Sequence, residues 1–269
     1  IRVLDKSTFK DMLKALRGAV SFDIETSCLY PWRFHADKKG IPYDKPVITA
    51  IGFGTRDAQW SIPFHHYEMH PFSDDELAWM VRQITRRLED CFLIAHNGKF
   101  DLLWMKVKYG VDWRLDFDTM LAHYAIDENQ RHGLKGLSQT YFGAMDYDID
   151  ALTANWEDLS KYHCKDLLYT RRLKAIFQKK LNADQSVKDV FDHILMPCSA
   201  WFVQAEYNGV YIDQSKMDDA EAYLNNELTQ AKLELDKWGP NVNWRSPKQI
   251  GELLFDELGL DVVEYTAKG

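Results

Sequence analysis

Long apolar runs are missing from this sequence. Its longest, such as residues 50–53 and 92–95, are far too short to cross a bilayer, and no stretch at its start reads as a secretory leader. No membrane partner is therefore expected. Cysteine is scarce and scattered: Cys28, Cys91, Cys164 and Cys198 form no Cys-x-x-Cys pair, which argues against a zinc site and against a disulfide framework. Such usage fits a reducing, cytoplasmic setting. A basic excess is missing too, since the net charge is −8. Non-specific grip on a long duplex needs a basic face, whereas holding a few nucleotides of single strand through metal ions does not. Internal repeats and low-complexity tracts are absent. The chain opens on Ile1 rather than Met, which leads us to expect a piece of something longer.

What the sequence does have is apolar and aromatic mass. Of 269 residues 46% are hydrophobic, with 14 Phe, 13 Tyr and 9 Trp, enough for one large packed domain or a domain with an appendage. Val20, Phe22 and Ile24 alternate with Ser21, Asp23 and Glu25, the period-two pattern of a strand. Residues 47–54, 58–63 and 92–95 read as further strands. Ser73 followed by Asp74, Asp75 and Glu76 marks a helix start, and Leu77, Met80, Val81, Ile84 and Leu88 continue it at helical spacing. Another helix follows over 99–108. Strands alternating with helices predict an α/β domain with a mixed sheet. Beyond Asp118 the pattern turns helical, over 118–126, 134–141, 157–180, 188–208 and 215–238. Ser246-Pro247 opens one more helix. A change of character near residue 184 divides the chain into 1–183 and 184–269.

Three groups of residues carry chemistry. Asp23 and Glu25, two apart on a strand, leave the same face and repel unless a cation or proton sits between them, although paired acids on an exposed strand face are ordinary. Asn97 suits a helix N-cap with Asp101 in the first turn, where acids are common for dipole reasons alone. Tyr162 and Asp166 stand at i and i+4 on one helix face. Each means little by itself.

In that order, Asp23-Ile24-Glu25-Thr26, Asn97 to Asp101 and Tyr162 to Asp166 resemble the three motifs of DEDD exonucleases, with the Tyr of the DEDDy branch. Asp118 to Leu121 and Arg131 to Leu137 are similar to the segment that links the second and third motifs in family A DNA polymerases. Glu206 to Asp213, Asn243 to Ile250 with Leu253 to Phe255, and Thr266 to Gly269 resemble that family's polymerase entry and early thumb. The palm and fingers motifs do not follow.

The resemblance implies a ribonuclease H-like fold: a mixed sheet flanked by helices, then a helical segment. It implies 3′→5′ hydrolysis of DNA ends to deoxynucleoside 5′-monophosphates, as the proofreading part of a polymerase. Two divalent ions, Mg²⁺ or Mn²⁺, are the implied cofactors. Asp23, Glu25, Asp101 and Asp166 would be the ligands, with Tyr162 orienting the attacking water. Thr26, Leu29 and Asn97 would contact the terminal nucleotides, Leu29 as a wedge that could equally be core. Expected partners are a single-stranded or frayed DNA 3′ end and the remainder of a polymerase domain, in the cytoplasm of a bacterial or phage-infected cell. Two other readings stand beside this one: a free-standing exonuclease of the RNase D or RecQ-associated type, and a catalytically dead module. Among the nine histidines, His65, His66 and His70 read as a surface cluster and His163 as a residue flanking the third motif.

Overall fold

A computed structural model describes residues 1–33, 40–145 and 147–262. Its elements are α1 (Lys6–Ala15), β1 (Gly18–Thr26), β2 (Ile48–Gly54), β3 (Gln59–Pro63), α2 (Asp74–Leu88), β4 (Cys91–Ala95), α3 (Gly98–Tyr109), β5 (Phe117–Asp118), α4 (Thr119–Ile126), α5 (Leu134–Phe142) and α6 (Trp156–Leu181). Then come α7 (Gln185–Val190), a π-turn over Phe191–Leu195, α8 (Met196–Asn208), α9 (Gln214–Asp236) and α10 (Pro247–Gly251). The expected α/β class holds. The five strands lie in the order β3-β2-β1-β4-β5. β1 is antiparallel to β2 and β2 to β3, while β1 with β4 and β4 with β5 are parallel, so the sheet is mixed.

Alternation on β1 sends Val20, Phe22 and Ile24 into the larger core cluster, with Phe9, Phe53, Trp60 and Trp104. Ser21 leaves the opposite face and donates its hydroxyl to the Leu167 carbonyl of α6. α6 packs across β1, β2, β3 and β4 on that side. Its lower half joins Ile94 and Phe117 with Leu173, Phe177 and Leu181 in a second cluster. The Ser73 signal proves to be a reciprocal cap with Glu76, and Ser246 caps α10 ahead of Pro247.

Two elements escape the sequence pattern. α1 is too short and polar to announce itself. β5 is only two residues long, inside a stretch expected to be helical from Asp118. The expected helix over 188–208 is interrupted by the π-turn.

Compactness divides the chain after Gly209, into Ile1–Gly209 and Val210–Gly269. α8 stays with the first unit because it packs on α3. Lys99 pairs with Glu206, Lys106 lies over the Tyr207 ring and Val203 is buried. Compactness thus places its division later than the change of character near residue 184. In the second unit, Leu253 is buried beside Gly239. Tyr223, Leu224, Leu228 and Leu233 of α9 are exposed. The segment Thr266 to Gly269 lies outside the described residues. Among those described, no helix is long and apolar enough to cross a membrane.

Candidate active site

β1 delivers the first two acids. Oxygen atoms of Asp23 and Glu25 lie within 4.8 Å of each other and of a ring nitrogen of His163 on α6. Asp101, in the first turn of α3, is buried and reaches back to the strand: its Oδ1 accepts the N–H of Ile24 at 2.9 Å. Parallel pairing of β1 with β4 ends at Ser21 and Ile94, which leaves that amide for a side chain. Asp166, also buried, comes from α6 one turn beyond Tyr162. Three elements therefore bring Asp23, Glu25, Asp101, Tyr162 and Asp166 together.

The electrostatics record the crowding. Burial pushes the Asp23 carboxyl well above its usual range, and the neighbouring Glu25 and Asp166 push it further. Burial and then Asp166 raise Glu25 to about 8. Asp101 is raised by burial and by Asp23. Asp166 is raised by burial, in part offset by Lys135. Tyr162 is pushed upward by burial and then by Glu25, Asp166 and Asp23, so its phenol stays neutral at neutral pH. It can orient a water and cannot serve as a base.

Acids crowded in this way fit a hard divalent cation. The donors are carboxylate oxygens, and a cation would relieve the repulsion that now favours protons. One cation already sits among them, the Lys135 ammonium, which bonds both carboxylate oxygens of Asp166. His163 is not a free ligand. Its Nδ1 accepts from the Ser61 hydroxyl at 2.9 Å and its Nε2–H donates to the Asp23 carbonyl at 3.1 Å, so both nitrogens are used. Burial holds this ring neutral by lowering its pKa to about 4.

The other expected positions lie at the end of β1, in the loop after it and just before α3. Thr26 donates its hydroxyl to the Cys28 carbonyl at 2.8 Å, shaping the turn that carries Leu29. Leu29 is 72% exposed and does not belong to the core. Asn97 does precede α3, but its side chain makes no capping bond; it sits in the left-handed region at φ 60°. Asn tolerates that conformation better than most residues. Asp118 does the capping instead. Its Oδ1 accepts from the amides of Asn97 and Met120, and its Oδ2 from Gly98 at 2.8 Å.

The profile of the family described as 3′-5′ exonuclease matches residues 1–182. The chain belongs to this family. It is a 3′-5′ exonuclease domain of the kind carried by family A DNA polymerases. DNA polymerase I of Borreliella burgdorferi is 32% identical over 285 residues, covering 99% of this chain and 29% of that protein. The DNA polymerase of Escherichia phage T5 is 26% identical over 289 residues, 90% of this chain and 31% of that protein. The chain thus spans about a third of the length of its curated relatives, 31% of that from Bacillus phage SP01. Among solved structures, the POL domain of Pol1 from M. smegmatis in complex with DNA primer-template and dNTP superposes with a TM-score of 0.71 at 16% identity, over 100% of this chain and 43% of that one. Brucella melitensis NrnC with bound Mg²⁺ gives 0.52 at 20% identity, over 74% and 90%. Such likenesses establish the fold, the ribonuclease H-like sheet of this exonuclease family.

Several residues of the domain went unread in the sequence. Lys135 and Tyr147 both bond Asp166, Tyr147 through its hydroxyl at 2.9 Å. His163 is more than a flank: it does face away from Tyr162, but toward β1, where it props Asp23. His66 is likewise buried rather than part of a surface cluster. Its Nε2 donates to the Ala154 carbonyl at 3.1 Å and its Nδ1 accepts from the Glu68 amide, which ties two loops together.

Proposed function

We propose that the chain is the proofreading 3′→5′ exonuclease of a family A DNA polymerase, releasing deoxynucleoside 5′-monophosphates from DNA 3′ ends. One observation carries the reading. Four carboxyls from β1, α3 and α6 meet beside the neutral phenol of Tyr162, in a domain of this family. Asp23, Glu25 and Asp166 would hold one divalent ion, and Asp23 with Asp101 a second, Mg²⁺ or Mn²⁺. Such ions supply the nucleophile and offset charge on attacking and leaving oxygens.

The remaining work falls to the protein. Tyr162 orients the attacking water through its hydroxyl. The Asp101–Ile24 bond keeps the acid pair in register with α3. Leu29, presented outward, wedges against the last bases, a contact indifferent to sequence as editing demands. Thr26 and Asn97 line the path of the terminal nucleotide. Mismatched ends fray more readily and so reach the site more often.

Within this reading, residues 1–183 are the exonuclease domain and 184–269 the helical link and start of a thumb. Similarity to polymerase relatives that runs over 99% of the chain, beyond the family match, supports this division. The remainder of a polymerase domain would be the partner, in a bacterial or phage-infected cytoplasm.

A 5′-labelled single-stranded DNA with Mg²⁺, followed over time, tests the proposal. Stepwise shortening by the wild type and its loss in Asp23→Ala support it; equal degradation by both proteins rejects it. An RNA of the same sequence is run alongside, and a clear preference for it would favour a free-standing RNase D-type enzyme.

A further inference from the structure

Lys135 lies at the start of α5, 31 residues before Asp166, and none of the three motifs contains it. Its ammonium bonds both oxygens of Asp166. It also sits over two aromatic faces, 3.8 Å from the ring centre of Tyr162 and 4.3 Å from that of Tyr147. Its charge reaches Asp23 and Glu25 as well as Asp166. The side chain remains 32% exposed, whereas Asp166 is only 6% exposed. The Lys135 side chain is thus partly open to solvent, whereas its partner is nearly sealed.

An ordinary ion pair explains one of these contacts and not the rest. Two tyrosine faces fix the ammonium independently of Asp166, so it keeps its place when that carboxylate turns to another cation. A phosphodiester entering the cleft brings a further negative charge to a cluster of four acids. A cation held beside these acids by neutral rings is placed to meet it.

We infer that Lys135 is a further catalytic residue, one whose ammonium binds the phosphate being cleaved once Asp166 is engaged elsewhere. The inference rests on the exonuclease reading above. In the resting domain Lys135 neutralises Asp166. With DNA bound it donates hydrogen bonds to a non-bridging phosphate oxygen, where charge grows during hydrolysis.

The test compares wild type, Lys135→Met and Lys135→Arg in three measurements: cleavage of single-stranded DNA, Mn²⁺ titration by calorimetry, and DNA binding with Ca²⁺ in place of Mg²⁺. Lys135→Met should cleave about 100-fold more slowly, in line with loss of one charge-stabilising donor. Its DNA binding should weaken about tenfold, the scale of one charge-assisted contact. Its Mn²⁺ affinity should be unchanged or higher, because a competing cation is gone. Lys135→Arg should recover at least about a tenth of the lost rate, since it keeps a phosphate-binding charge. A Lys135→Met that cleaves like wild type overturns the inference, and so does one that loses Mn²⁺ binding together with activity, the mark of a merely structural role. If Lys135→Met fails to fold, Lys135→Gln takes its place under the same criteria. Failure of the wild type itself to cleave would instead reject the exonuclease reading.

Discussion

Oδ1 of Asp101 accepts the backbone N–H of Ile24 at 2.9 Å, so the first turn of α3 is tied to the strand residue between Asp23 and Glu25. That bond separates two duties of one side chain. Asp101→Asn keeps an oxygen that can accept from Ile24 and removes the charge. Asp101→Ala removes both and leaves a buried amide unpaired, at a cost of about 1–3 kcal/mol. Both variants should lose activity by about 100-fold or more, as the proposed role of Asp101 in holding a metal ion implies. Thermal melting without metal should distinguish them: Asp101→Asn at or above the wild-type Tm, Asp101→Ala several degrees below it. Equal Tm values would mean the Ile24 tie does not hold the site.

Acid crowding should make the metal-free domain sensitive to pH. Glu25 is raised from the usual 4.5 to about 8, so the folded protein keeps a proton that the unfolded chain releases at lower pH. Its contribution is complete below about pH 4.5 and is lost as pH rises through about 8. His163 and His96 oppose this, because burial lowers both to about 4. Their contribution is present above about pH 6.5 and lost as pH falls toward about 4. Between about pH 7 and 9, therefore, the acid cluster dominates. In EDTA, Tm should fall across that window. With Mn²⁺ the fall should vanish, because a bound ion takes the place of the proton. A flat profile in EDTA would refute the crowding.

Much of this site was legible because strand and helix periodicities place side chains by arithmetic. Asp23 and Glu25 share a face through period two, and Tyr162 meets Asp166 through one helical turn. What stayed hidden depends on contacts between distant segments. A lysine on a helix face is ordinary, and nothing local to Lys135 says that its neighbour is Asp166. One residue on from Tyr162, His163 must point about 100° round the helix, but only packing shows that β1 lies there instead of solvent. Asp118 looked like a helix residue, and its role as acceptor for the turn before α3 needs the β4–β5 pairing to bring it close.

Gly52 offers a direct probe of that hidden packing. It stands opposite Asp23 in the β1–β2 pair. A Cβ there would come within 2.6 Å of His163 Cε1 and Nε2 and of Leu167 Cδ1. Gly52→Ala should destabilise by about 1–3 kcal/mol, the usual range for overpacking. It should also slow cleavage well below Tm, because the displaced ring is the one holding the Asp23 carbonyl. Gly136→Ala in α5, with nothing within 4 Å of its Cβ, is the control and should be neutral or stabilising by about 0.5–1 kcal/mol. Equal melting of the two variants would contradict the packing described for α6 against β2.

The turn before α3 makes the last case, since there conformation and contact with substrate separate within one residue. Asn97 holds φ 60°, and Asp118 fixes the turn by accepting from the amides of Asn97 and Gly98. Glycine adopts that backbone freely and a β-branched residue does so only under strain. Asn97→Gly should therefore melt within about 1 kcal/mol of wild type, near the entropic cost of glycine, yet cleave more slowly if the amide side chain touches the terminal nucleotide. Asn97→Val should lose stability and activity together. Asp118→Asn swaps one acceptor oxygen for a donor facing amide N–H groups, a loss of about 1–3 kcal/mol. The displaced turn carries Asp101 with it, so Mn²⁺ affinity should drop as well, which calorimetry can read. Wild-type Mn²⁺ binding in Asp118→Asn would show that the turn does not position Asp101.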